Sequence, residues 1–212
     1  MKPDFFHLDA VEEKLKELPH LHQVAFAASI CERILPNYYI FSQMRNFNNT
    51  NILKRSIDEI WQILQGKEKD VLVLQQFQEE LDEVCPDTED DEWVDTSYVF
   101  EAQEAIFAIY STLAACINQD LQSILWVIKA ARFNTLELFI SDKYDHCNSS
   151  ISRNLKLEFI ANHPLAVQEL AKETEDLQRL KELKILTGDF LEWLRNSNNE
   201  RNIISIYSFG FD

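Results

Sequence analysis

Apolar residues recur along most of this chain at intervals of three and four, the period of a helix with one buried face. Asp9-Ala10-Val11-Glu12 predicts an N-cap with a glutamate three residues on, opening a short helix that Pro19 ends. Val24, Ala28, Cys31 and Leu35 share the next helical face, which Pro36 is expected to interrupt or kink before a further turn or two carrying Tyr38, Tyr39 and Phe41. Phe47 to Asn51 reads as a loop and cap. Ile57, Ile60, Trp61 and Leu64 mark a third segment, closed by Gly66, and Leu74, Phe77, Leu81 and Val84 a fourth, closed by Pro86.

The most apolar stretch, Val99 to Ile117, is hydrophobic nearly all round (Ile106, Phe107, Ile109, Tyr110, Leu113) and predicts a central buried helix. Leu121 to Phe139 reads as one long helix, Asp142 to Ser150 as polar loop, and a helix starts near Ile151. Asn162-His163-Pro164 opens another, with Leu170, Leu177 and Leu180 inward and Glu175 and Arg179 as an i, i+4 pair. Thr187-Gly188-Asp189 precedes a short helix with Phe190 and Trp193. The tail, with Ile203, Ile204, Ile206, Tyr207, Phe209 and Phe211, predicts a short extended arm or strand. Trp61, Trp126 and Trp193, spaced helically from aliphatic residues, are expected in the core. No repeat or Pro/Ser linker divides the pattern, which gives an all-α, single-domain multi-helix bundle over residues 1–212.

Composition narrows what such a bundle does. Three glycines among 212 residues exclude a Gly-rich dinucleotide turn, a P-loop and a nucleophile elbow. No apolar run reaches the roughly 20 residues that cross a bilayer. Cys31, Cys85, Cys116 and Cys147 are scattered, without a metal-binding pair, and read as free thiols of a reduced, cytoplasmic protein. The net charge is −16, and it is regional. Residues 70–128 hold 14 acids and no lysine or arginine; removing those 14 from 36 leaves 22 acids against 20 bases elsewhere. That field argues against nucleic acid and anionic lipid. Asp87, Glu89, Asp90, Asp91, Glu92 and Asp95 read either as a solvated turn or as a docking surface for a basic protein. As a calcium loop the stretch fails, because Glu92 stands where glycine is needed and Tyr98 where the bidentate glutamate belongs.

Glu32 and Arg33 are the only formal charges between Val24 and Met44. Adjacent helical residues do not face one another, so Arg33 needs an acid elsewhere and Glu32 a base. A structural reading has Arg33, Asn37 and Tyr38 serving carbonyls freed by Pro36; a functional one has a polar pocket at the bend using Glu32.

Cys31-Glu32-Arg33, then Pro36-Asn37-Tyr38, then Ile57-Asp58-Glu59-Ile60-Trp61 together resemble the bacterial YjaG-like family, catalogued as domain of unknown function 416. The resemblance is strongest from about His22 to Leu64 and returns near Glu104, from Asn162 to Leu183, and at Asn202-Ile203. It implies an all-helical bacterial cytoplasmic protein and carries over no catalytic residue. The candidate polar cluster is Glu32, Arg33, Asn37, Tyr38, Asp58 and Glu104. Glu17 and His20 have diiron-like spacing but Pro19 lies between them, and Asp142, Asp145, His146 and Cys147 lack a second ligand set, so no metal or cofactor is expected. The leading expectation is a non-catalytic interaction or regulatory module that binds itself or a basic protein. Its rival is a small-ligand binder or enzyme using Glu32 and Glu104.

Overall fold

The computed structural model describes residues 4–46, 50–86, 98–147 and 152–197. These form an all-α bundle; no strand occurs among the described residues. In chain order the helices are α1 (Asp9–Lys16), α2 (His20–Arg45), α3 (Thr50–Leu64), α4 (Val71–Glu83), α5 (Val99–Asn118), α6 (Leu121–Lys129), a π-helical segment (Ala130–Glu137), α7 (Leu138–Cys147), α8 (Arg153–Asn162), α9 (Pro164–Glu182) and α10 (Gly188–Asn196). The expected acidic surface from Asp87 to Asp95 and the aromatic tail from Ile203 to Phe211 lie outside the described residues.

Local chemistry sets several helix ends. Asp70 accepts from the Leu72 and Val73 amides, Asp120 from Ser123, and Thr187 from Phe190, each occupying donors that a helix start leaves free. His163 does the same for Leu165, with Pro164 in the first turn as its spacing predicts. At the end of α3, Gly66 takes φ +99°; its amide meets the Ile63 carbonyl at 3.0 Å and the Lys67 amide reaches Gln62 at 3.0 Å. Only that left-handed residue lets both bonds close.

Two helices share the centre. α5 packs on α2, α3, α4, α6 and the π segment; α2 packs on α3, α5, α6, α9 and α10. Ala25, Ala27 and Ala28 of α2 and Ala102, Ala105 and Ala108 of α5 are fully buried, and such small side chains let neighbouring helices come close.

Four expectations need correction. Asp9 is not the cap of α1: Leu8 occupies that place, and Asp9 and Glu12 sit in the first turn, near its positive end. Pro36 does not interrupt α2, which runs on to Arg45 and is closed by Asn46 at φ 57°. The predicted helix from Leu121 is wound as α, then π, then α, and it continues through Asp142 to Cys147 where a loop was expected. The π winding has a wider turn than an apolar period of three and four reveals. Finally, Trp126 (53% exposed) and Phe107 (44%) face outward, whereas Trp61 is buried.

Candidate functional site

Polar groups gather in three places. The first is where α10 meets α2 and α3. Arg195 donates through Nε to Glu32 at 2.8 Å and through Nη2 to Asp58 at 2.5 Å. The Trp61 indole N–H donates to the same Glu32 oxygen at 2.8 Å, and the Arg195 guanidinium lies 5.7 Å from the Trp61 ring centre. Burial pushes the Glu32 carboxyl above its ordinary value, and Arg195 and Trp61 offset this only in part. Burial acts the same way on Asp58, but Lys54 and Arg195 outweigh it and hold that carboxyl low.

The second place lies beneath α9. Arg33 grips Glu169 with two bonds, Nη2 to Oε1 at 2.6 Å and Nε to Oε2 at 2.9 Å, and its Nη1 reaches Asp176 at 3.3 Å and Ser29 at 3.1 Å. Lys172 pairs with Asp176 one turn further along the same helix, and Arg132 of the π segment makes a two-bonded pair with Glu173. These three cations and three anions are each no more than 3% exposed. Burial raises the Glu169 carboxyl and lowers the Lys172 amine, the direction in which desolvation disfavours each charge. A matched array of this kind is saturated: paired, hydrogen-bonded charges satisfy the burial rule without any substrate.

The third place is an open groove of about 400 Å3 between α5 and the α6–π strand of helix, lined by Glu104, Phe107, Ser111, Trp126, Ala130 and Asn134. Burial raises the Glu104 carboxyl, and a hydrogen bond from Asn134 partly counters it. The helices run antiparallel here, since Glu101 of α5 feels Asp142 of α7 while Glu104 meets Asn134. Phe100 (57% exposed) and Leu138 (55%) continue the two ridges by one turn each.

The six residues of the predicted cluster are thus distributed. Glu32 and Asp58 meet through Arg195, Arg33 belongs to the α9 array, and Glu104 sits in the groove. The Asn37 amide and the Tyr38 hydroxyl are buried and make no hydrogen bond among the described residues, so they do not serve the carbonyls near Pro36 as expected. Sequence reading missed Glu169, Lys172, Glu173, Asp176 and Arg132. One signal was present: Leu165, Glu169, Glu173 (or Lys172), Asp176 and Leu180 follow a single helical stripe whose apolar ends imply burial of its charged middle. Cys31 and Cys116 are buried thiols whose pKa burial pushes up to about 12, which makes them poor nucleophiles. Among the described residues no three His, Cys, Asp or Glu side chains form a group that could hold a metal, and no helix is long and apolar enough to cross a membrane.

A family model described as a protein of unknown function, DUF416, matches residues 10–206. The chain is 30% identical over 104 residues to the uncharacterized protein YjaG of Escherichia coli K12, a match covering 49% of this chain and 46% of that one. It therefore spans about half the length of that relative. An uncharacterized protein of Haemophilus influenzae is 24% identical over 179 residues, covering 82% of this chain and 89% of the other. The fold is similar to the crystal structure of a DUF416 family protein from Shewanella baltica OS155, with a TM-score of 0.73 at 20% identity, over 91% of this chain and 96% of that one.

Proposed function

Because the chain belongs to the DUF416 family, a family of unknown function, we propose its role from the geometry: a non-catalytic helical interaction module that docks a protein partner on the α5 and α6–π face. The observation that carries this is the pair Phe107 and Trp126, both turned to solvent on the walls of one groove although the pattern of the sequence assigns them to the core. Large aromatic side chains exposed together are costly to leave in water, and they anchor interfaces when covered. The interior supports the same reading. Glu32 is clamped by Arg195 and Trp61, and Glu104 lines a groove to which Glu32 does not contribute, so the two carboxyls of the rival enzymatic reading do not share a pocket. A cytoplasmic setting belongs to the proposal too, supported by the free thiols of Cys31 and Cys116.

Photo-cross-linking tests it. A photoreactive phenylalanine analogue at position 107 should trap a discrete protein in living bacteria, and the same analogue at Ile185, which is 75% exposed in the connection between α9 and α10, should not. Equal adducts at both positions, or none at either, would overturn the proposal.

A further inference from the structure

Resting on that reading, we infer that the occupant of the groove is a basic amphipathic helix, one of whose arginine or lysine side chains seats against Glu104 between Phe107 and Trp126. Shape comes first. Phe100, Glu104, Phe107 and Ser111 stand at i, i+4, i+7 and i+11 along α5; Trp126, Ala130, Asn134 and Leu138 stand at i, i+4, i+8 and i+12 along the facing helix. The α5 row is about 16 Å long at 1.5 Å per residue, three turns of helix. Ser111 and Ala130 are small and leave the trough open between the aromatic walls. Two parallel ridges with a trough between them are what a helix-in-groove partner uses, through anchors one turn apart.

Charge then selects the partner. Glu104 has a neutral amide, that of Asn134, as its donor, and burial already works against its ionised form. An incoming cation relieves that cost. The walls suit a cation as well, since the faces of Phe and Trp rings attract one. This chain uses that contact repeatedly: Lys129 lies 4.3 Å from the Trp126 ring centre, Arg179 3.9 Å from Trp193, and Arg55 5.1 Å from Phe77. Lys129 stands over the Trp126 ring but is not among the residues that line the groove. α5 itself carries Glu101 and Glu104 and no base, and the acid-rich run Asp87 to Asp95 leads directly into it in sequence. A second copy of this chain would bring another net −16 to the face and be repelled, whereas a basic helix is drawn in.

Fluorescence anisotropy with the full chain decides the matter. The probes are a labelled amphipathic peptide of leucine, alanine and arginine and its twin with citrulline in place of every arginine. The arginine peptide should bind, the citrulline twin about tenfold or more weaker; Glu104→Gln should cost the arginine peptide about tenfold and the twin nothing. Phe107→Ala with Trp126→Ala should abolish binding of both while leaving the helical circular dichroism unchanged. Equal binding of the two peptides, lost in the double aromatic variant, would overturn the cation seat and leave the docking face standing. Arginine-peptide binding that survives the aromatic variant but is lost on Asp90→Lys with Asp91→Lys would place the interaction on the acidic run and overturn the inference. If neither peptide binds while the cross-link from position 107 persists, the partner is not a basic helix.

Discussion

Arg33 shows how much one side chain can hold. It sits in a helix otherwise rich in alanine and aliphatic residues, and its guanidinium ties α2 to Glu169 and Asp176 of α9. Burial opposes its charge, yet the attraction of Glu169 and Asp176 prevails and keeps it more firmly protonated than in water. Removing the cation leaves carboxylates inside without compensation, so Arg33→Met should destabilise the fold by about 3–5 kcal/mol in urea titrations. Pairing it with Glu169→Leu should recover part of that loss, because the orphaned carboxylate goes too. A single-variant effect under about 1 kcal/mol would mean that water reaches the array. From sequence it was legible that Arg33 and Glu32 must each look elsewhere for a partner, since neighbours on a helix point apart. Which partners they find was not. Arg195 and Glu169 lie more than a hundred positions downstream, and helical spacing fixes a residue's face without fixing which helix that face meets.

At the scale of an element, α10 is held both by its own apolar stripe and by what it grips. Leu191 and Leu194 are buried, Trp193 lies beside Arg179 and Lys172, and Arg195 forks between Glu32 and Asp58. Arg195→Ala should cost about 2 kcal/mol, the worth of hydrogen bonds to charged groups, and do so locally. Amide hydrogen exchange should then accelerate in Gly188–Asn196 while α2 and α5 keep their protection; uniform acceleration would show that α10 does not open as a separate unit. Most helices could be read from spacing, caps and glycine, because those signals are local. The π segment could not. An apolar period identifies which residues face inward on an α-helix, but an altered pitch changes that assignment without changing composition. Trp126 faces outward for a different reason: it stands in α6, ahead of the π segment, where Ile124, Leu125, Val127 and Ile128 take the buried face.

For the molecule as a whole, the governing quantity is the net charge of −16. Self-repulsion of that size works against compactness and is screened within about 10 Å at 0.1 M salt. The melting temperature should therefore rise as sodium chloride is added from low ionic strength, while association with any basic partner slows; a melting temperature that falls would mean that surface ion pairs such as Lys16–Glu13 outweigh the repulsion. The two trends pull in opposite directions, so a single salt series separates folding electrostatics from recognition electrostatics.

The six ions beneath α9 bear on that separation. Being equal in number and locked together, they cancel at any distance larger than their own spacing, and an approaching molecule senses nothing of them. What a passing helix feels from afar is drawn by the outer charges, among which acids are in excess. Evolution can thus retune attraction by exchanging surface carboxylates without disturbing the internal lattice of opposites, and it can repair that lattice without altering whom the protein meets.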